Sequence, residues 1–205
     1  MTRAKQEKTI IASDINWLYA NYNRIDMIMD VKPPLGNGGT LGYKVPHVKK
    51  NNYNSVYNNL IEEEKYTVCF IDMSIACMYY IFDNAGKIVG HNLMYMPAPN
   101  DENCGDDFDT ICAKYIRIDY EQEGYHEIYH TQVHLHSGLY KTNFRIPLAH
   151  YCTPKEFIYF IIKYIYHSDC AFVDQLITSR NKTMLLTENE QKAMKIIFGQ
   201  LEEIK

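Results

Sequence analysis

The sequence lacks the features that identify several common protein classes. No stretch of its 205 residues approaches the 18 or so consecutive apolar residues of a membrane span. It has no CxxC pair, HExxH, GxSxG or GxxxxGK[ST], which disfavours zinc proteases, serine hydrolases and P-loop nucleotide hydrolases. The start, MTRAKQEKTIIASD, has no long apolar segment of the signal-peptide type. We therefore expect a cytoplasmic protein that does not bind a membrane.

A strong positive charge is also missing. The net charge is −4 and the pI is about 6.1, so the chain has no overall basic surface for nucleic acid. Its acidic residues concentrate in two runs that we interpret as solvated loops. The cysteines show no regular spacing and are expected to be buried thiols in a reducing compartment. They are at positions 69, 77, 104, 112, 152 and 170.

The order of sequence patterns predicts one α+β domain over residues 1–205. Apolar residues recur every three or four positions from Ile11 to Met29, which is typical of a helix. A Gly/Pro-rich loop over 31–50 completes a helical N-terminal part, residues 1–60, and a loop of this length is often functional or mobile. Residues 61–150 are predicted to form an antiparallel sheet. Its clearest signal is a hairpin around the turn from Asp83 to Gly86.

Residues 151–205 are predicted to be helical. Thr153 and Glu156 form a capping box with a proline at the first helical position. Thr187 and Glu190 have the same spacing before an amphipathic segment. We expect the N- and C-terminal helices to pack on one face of the sheet.

The stretch YIRIDYEQEGYHEIYHTQVHLHSGLYKTNFRIP, residues 115–147, holds four of the eight histidines. In a strand, alternation places His130, His134 and His136 on one face. Two strand histidines two residues apart are a common metal-binding pair. A metal, if present, would take His130, His134 and His136, with His91 or Asp119 as other choices for the third ligand. Most such histidines only make hydrogen bonds on a polar sheet face, and structural zinc is disfavoured because no cysteine is near in sequence.

Arg117, Asp119 and Arg145 accompany these histidines. A carboxylate beside an imidazole fixes its tautomer, and arginine holds phosphate by paired hydrogen bonds. The alternative for Arg117 and Asp119 is an ordinary ion pair. Histidine, arginine and carboxylate without a thiol suit metal-independent RNA cleavage by a general acid and a general base.

Five tyrosines flank the histidines. They are Tyr115, Tyr120, Tyr125, Tyr129 and Tyr140. Exposed aromatic rings beside a basic face could stack on bases. Tyrosines in strands are more often packed in the core with the hydroxyl toward solvent.

The motif order YIRIDY, GYHEIYHTQVHLHSG, NFRIPL and TPKEFIYFII, with the preceding hairpin, resembles a bacterial family known only as a domain of unknown function, over residues 60–166. The hairpin, the R-x-D segment and the final H-x-H pair are also distantly similar to TumE-like toxins. That resemblance implies a site of Arg117, Asp119, His130, His134 and His136, and a role in toxin–antitoxin or defence systems. Those toxins lack the two helical ends of this chain, which could bind a partner protein.

The sequence leads to three hypotheses. The first is a toxin-like or antiphage effector, a ribonuclease without a cofactor. His134 and His136 would be acid and base, Asp119 would orient one of them, and Arg117 and Arg145 would hold phosphate. His130 belongs to the same candidate catalytic group. The second is a non-catalytic regulatory or sensor subunit that binds a nucleotide or phosphate and a protein partner, such as an antitoxin or defence-complex subunit. The third is a structural protein with ordinary surface histidines.

Overall fold

A computed structural model of the chain describes residues 3–33, 35–36, 38–99, 108–127, 130–139, 145–168, 172–176 and 184–198. The helices are α1 (Arg3–Asn21), α2 (Tyr53–Glu62), α3 (Phe108–Lys114), α4 (Pro154–Tyr164) and α5 (Glu188–Phe198). The strands are β1 (Ile28–Val31), β2 (Thr40–Gly42), β3 (Val68–Phe70), β4 (Ile75–Phe82), β5 (Ile88–Met96), β6 (Ile116–Tyr120), β7 (Val133–Ser137) and β8 (Ile146–Pro147).

The strands form one antiparallel sheet, which confirms the predicted α+β class. The eight-stranded sheet has the order β1-β3-β4-β5-β6-β7-β8, and β2 pairs with β4 beside β3. The β4–β5 hairpin turns where the sequence predicts it. Asp83 Oδ1 accepts the backbone N–H groups of Ala85 and Lys87 at 2.9 Å, and Gly86 adopts the φ of 83° that this turn needs.

Helices cover both faces of the sheet. On one face, α1 and α4 share a core cluster with alternate residues of β4 and β5, which includes Ile15, Phe157, Met78 and Leu93. This arrangement confirms that N- and C-terminal helices share a face. On the other face, α2 and α3 pack through residues such as Tyr53 and Ile111. This second layer was not predicted from the sequence. Arg117, Asp119, His134 and His136 of β6 and β7 point to the same face.

Both capping boxes are present. Thr153 Oγ1 accepts the N–H of Glu156, whose carboxylate accepts the N–H of Thr153 at 2.8 Å. Thr187 and Glu190 exchange the corresponding bonds at 3.2 and 2.8 Å. These bonds satisfy N–H groups that have no partner within the helix. The two starts were predictable because each depends on residues three positions apart.

The boundary between helix and sheet is earlier than predicted. The helix α1 ends at Asn21, and β1 and β2 both lie before residue 61, while α3 interrupts the predicted sheet region. A bulge between Ile28 and Asp30 lets Ile28 and Val31 of β1 both face the core. Met29, which the helical pattern placed on the apolar face, is 46% exposed. Within these ranges, no helix is both long and apolar enough to cross a bilayer.

Candidate functional site

The neighbouring strands β6 and β7 bring four of the predicted residues together. Arg117 pairs with His136 and Asp119 pairs with His134 in the antiparallel register. Residues directly opposite each other point to the same face. We call Arg117, Asp119, His134 and His136 the β6–β7 cluster.

Asp119 is the centre of this cluster. Its Oδ2 accepts Arg117 Nε at 2.7 Å and lies 3.2 Å from His136 Nε2. Its Oδ1 accepts Asn92 Nδ2 at 2.6 Å. Burial raises the pKa of Asp119, but hydrogen bonds from His136 and Asn92 and the charge of Arg117 outweigh it and lower the pKa to about 2. Asp119 is therefore a carboxylate at neutral pH.

His136 lies between an acceptor and a donor. Its Nε2 is 3.2 Å from Asp119 Oδ2 and 3.1 Å from Arg117 Nη2. A single ring nitrogen donates when protonated and accepts when not. A proton on Nε2 bonds to Asp119 and, in the neutral ring, leaves Nδ1 as a base. In the other neutral tautomer the proton is on Nδ1, and Nε2 accepts a hydrogen bond from Arg117. The two neighbours thus stabilise alternative tautomers of an imidazole that is 16% exposed.

His134 is held differently. Its side chain is 1% exposed, and its Nδ1 donates to the carbonyl of Thr131 at 2.9 Å. Because a carbonyl only accepts, Nδ1 carries the proton and Nε2 offers its lone pair, 3.8 Å from Asp119 Oδ2. Burial, with the charges of His136 and Arg145, lowers the pKa of His134 to about 4, against the opposing effects of Thr131 and Asp119. This ring is neutral at pH 7.

Two other histidines do not join the carboxylate. His130 precedes β7, where it pairs with His126, and its ring centroid is 4.9 Å from that of His134. Its Nδ1 is 2.5 Å from the carbonyl of Gly124. His91 lies on the opposite face of the sheet, between the rings of Tyr80 and Tyr120. Because the sheet separates it from His134 and His136, His91 cannot complete a metal site with them.

Arg145 approaches the cluster from β8. It precedes β8, whose Ile146 and Pro147 pair with Leu135 and His134, so the register continues toward His136. Its charge contributes to lowering the pKa of His134. Among the described residues, no hydrogen-bond partner meets its buried Nε. A buried guanidinium N–H without a partner suits an anionic ligand.

The same residues have some capacity to bind metal. Asp119, His134 and His136 each place one ligand atom within 4.8 Å of the others, a two-histidine, one-carboxylate set. Arg117 already bonds to Asp119 and approaches His136 Nε2, so a metal ion would have to displace this guanidinium. The cluster with Arg145 combines one carboxylate with two arginines. With one negative and two positive charges, the site favours binding of an anion over binding of a metal cation.

A cavity of about 280 Å³ adjoins the cluster. Arg117 and Asp119 form one side, and a loop between β2 and α2 forms another. Its lining comprises Lys44, Val45, Pro46, His47, Val48, Asn92, Met94, Tyr115, Arg117, Asp119 and Glu121. Sequence reasoning missed Asn92 and the loop residues, and the length of the Gly/Pro-rich connection was their only signal.

The tyrosines near the histidines are not exposed stacking surfaces where the structure describes them. Tyr115 is 2% exposed and Tyr120 is 3% exposed, on opposite faces of the sheet, and Tyr125 is partly buried. Tyr129 and Tyr140 lie outside the described residues. Cys69, Cys77 and Cys112 are buried thiols and Cys152 is partly buried, while Cys104 and Cys170 also lie outside the described ranges.

Comparison with known proteins adds a family. The chain belongs to the family described as uncharacterized conserved protein (DUF2290), whose model matches residues 43–198. This confirms the expected membership of a family of unknown function. No curated protein and no solved structure matches the chain.

Proposed function

We propose that this DUF2290 member is a metal-independent ribonuclease that cleaves RNA by attack of the 2′-oxygen. The observation that carries the proposal is His136 Nε2, which lies between Asp119 at 3.2 Å and Arg117 at 3.1 Å. In the tautomer with the proton on Nε2, bonded to Asp119, Nδ1 is left as a base that exchanges a proton with a substrate. An imidazole oriented by a carboxylate is a common general base at neutral pH.

In the proposed reaction, His136 Nδ1 takes the proton of the 2′-hydroxyl. The 2′-oxygen bonds to phosphorus, the bond from phosphorus to the 5′-oxygen breaks, and His136 returns its proton to that oxygen. The products are a 2′,3′-cyclic phosphate and a 5′-hydroxyl. Asp119 stabilises the imidazolium. Arg145 and the remaining N–H groups of the Arg117 guanidinium stabilise the charge on the phosphorane. His134, neutral and 1% exposed, positions the ring of His136 at a centroid distance of 4.8 Å.

The proposed cellular role is that of a toxin-like or antiphage effector, restrained by a partner protein such as an antitoxin. Its support is the distant resemblance of the hairpin, the R-x-D segment and the H-x-H pair to TumE-like toxins. The helical ends that those toxins lack are the proposed binding surface for the partner. If the chain is such an effector, its expression inhibits growth, and this inhibition depends on His136.

A second candidate is a non-catalytic sensor subunit that binds a nucleotide or phosphate ligand. The cavity favours it, because its volume of about 280 Å³ is close to the lower limit of about 300 Å³ for small-molecule sites. The net charge of −4 also does not suit a long polyanion. The two functions differ in one result, since the sensor binds a nucleotide without product formation.

The test is cleavage of labelled single-stranded RNA by the purified chain. We expect His136→Ala to lower the rate at least about 100-fold, which is the usual contribution of a general base, and to abolish growth inhibition in cells. A 2′-deoxy nucleotide at the cleaved position should block the reaction. EDTA should leave it unchanged, and the products should carry cyclic phosphate.

The matched control is His126→Ala, which changes an exposed histidine outside the cluster. Both variants should melt within a few degrees of the wild-type chain. Full cleavage by folded His136→Ala, or loss of wild-type cleavage in EDTA, would contradict the mechanism. Nucleotide binding without cleavage by any variant would favour the sensor.

A further inference from the structure

The cavity wall contains a buried hydroxyl that makes no hydrogen bond of standard geometry in the described part of the chain. Tyr115 lines the cavity and is 2% exposed. No hydrogen-bond partner with standard geometry meets its hydroxyl oxygen in the described part of the chain. Burial raises the pKa of Tyr115, and the neighbouring Arg117 side chain opposes that effect. Leaving such a group unpaired costs about 1–3 kcal/mol. Buried polar groups are nearly always satisfied, so this hydroxyl points to a ligand that enters the cavity.

The lining defines the chemistry of that ligand. Val45, Val48 and Met94 give one apolar region of the wall, which suits a flat ring. Asn92, Arg117 and the Tyr115 hydroxyl provide hydrogen-bond donors, and Asp119 and Glu121 provide acceptors. The lining residues Lys44 and His47 are exposed. A volume of about 280 Å³ suits one nucleotide, since sites for larger ligands range upward from about 300 Å³.

The position of the cavity connects it to the β6–β7 cluster. Its walls come from β5 and β6, and Asn92 pairs with Asp119 as Met94 pairs with Arg117. His134 and His136 lie one strand further, on β7. Adjacent strands are about 4.8 Å apart, which is comparable with the distance from a ribose to its phosphate. A nucleotide base in the cavity would therefore place its phosphate over Arg117 and His136.

We propose that the cavity is a nucleobase subsite and that the substrate is RNA with an unpaired nucleotide at the cleaved position. This inference rests on the proposed ribonuclease function. A base in a duplex is stacked and paired, so it enters a cavity in the protein surface only after extrusion from the helix. Single-stranded RNA needs no such step, and the Tyr115 hydroxyl then bonds to the edge of the base.

The first experiment measures binding without cleavage. The four nucleoside 3′-monophosphates and inorganic phosphate are titrated into the full chain by calorimetry. We expect at least one nucleotide to bind more tightly than phosphate. Tyr115→Phe should weaken that nucleotide about 3- to 10-fold, which corresponds to one neutral hydrogen bond, and should leave phosphate binding unchanged. The melting temperature should stay equal or rise, because the change removes an unsatisfied hydroxyl.

A second pair of variants tests the space itself. Val45→Trp places a large ring at the cavity wall, and Lys49→Trp places the same ring at an exposed position of the same loop that does not line it. We expect Val45→Trp to abolish nucleotide binding and to lower RNA cleavage, while Lys49→Trp changes neither. Equal affinity for nucleotides and phosphate, or an unchanged nucleotide affinity in Val45→Trp and Tyr115→Phe, overturns the subsite.

A third measurement separates this inference from the ribonuclease proposal. Cleavage rates are compared for one RNA strand alone and in a complete duplex. We expect the single strand to be cleaved at least about 10-fold faster, since extrusion of a paired base costs a few kcal/mol. Equal rates would overturn the subsite and leave the ribonuclease proposal standing. Nucleotide binding that depends on Tyr115, with no cleavage of either RNA, would overturn the ribonuclease proposal and leave the subsite standing.

Discussion

At the scale of single residues, His134 and His136 have different environments although they are two positions apart on one strand. His134 is 1% exposed and His136 is 16% exposed. His134 gives its Nδ1 proton to Thr131, whereas His136 directs Nε2 at Asp119 and Arg117. Burial disfavours the charged form of a histidine. The pair therefore divides into a ring fixed in its neutral form and a ring placed to exchange protons.

The neutral state of His134 has a consequence for stability. Its pKa is about 4 in the folded chain, against 6.5 for an unperturbed histidine. As pH falls from 6.5 to 4, the unfolded chain takes up the proton first, so folding loses stability over this window and keeps it above pH 6.5. The shift corresponds to about 3 kcal/mol. We expect urea denaturation of the wild-type chain to show this loss between pH 7 and pH 4.

The variant that isolates this contribution is His134→Asn, whose side-chain N–H can still bond to Thr131. It should have a flatter dependence of unfolding free energy on pH in the same window. His126→Asn, at an exposed histidine, should keep the wild-type slope. An identical slope in wild type and His134→Asn would show that this imidazole is not buried in its neutral form.

At the scale of elements, the strand β2 fixes the loop that forms the cavity wall. Gly42 ends β2 with a φ of 89°, and a Cβ at this position would lie 1.9 Å from the Met78 carbonyl oxygen. The left-handed conformation alone costs a non-glycine residue about 1–2 kcal/mol. We expect Gly42→Ala to lower the unfolding free energy by about 2 kcal/mol or more in chemical denaturation, and to weaken nucleotide binding.

Gly39→Ala is the control in the same segment. A Cβ there meets only the Phe82 carbonyl oxygen at 3.4 Å, an ordinary contact. This variant should remain within about 0.5 kcal/mol of wild type, as surface changes usually do. Equal stability of the two alanine variants would mean that the close approach of β2 to β4 does not hold the loop.

Elements with local signals were predictable from the sequence, and those set by distant contacts were not. The capping boxes at Thr153 and Thr187 and the turn at Asp83 depend on residues a few positions apart. The apolar pattern predicts helix into β1 because Met29 continues the spacing of the apolar residues of α1, although its side chain is exposed in the folded chain. Alternation placed His134 and His136 on one face, but Asn92 joins Asp119 only through the β5–β6 register. That register depends on packing across the sheet.

At the scale of the whole molecule, the core extends beyond the region matched by the family. That region covers residues 43–198, yet α1 and β1 precede it and contribute to the main core. Ile11, Ile15 and Leu18 are each 0% exposed. The sheet face covered by α1 and α4 therefore depends on residues that the family match does not include, while the β6–β7 cluster lies on the opposite face.

Two substitutions in α1 test this division of the molecule. Ile15→Ala removes a fully buried side chain of α1 and should lower the unfolding free energy by about 2–5 kcal/mol, through lost burial and a residual cavity. Tyr19→Ala, one turn later and 50% exposed, should change it by less than about 0.5 kcal/mol. Below its melting temperature, Ile15→Ala should bind 3′-nucleotides as the wild-type chain does, because the sheet separates α1 from the cavity. Unchanged stability would place α1 outside the folding core, and weakened nucleotide binding in a folded variant would show that the two faces of the sheet are coupled.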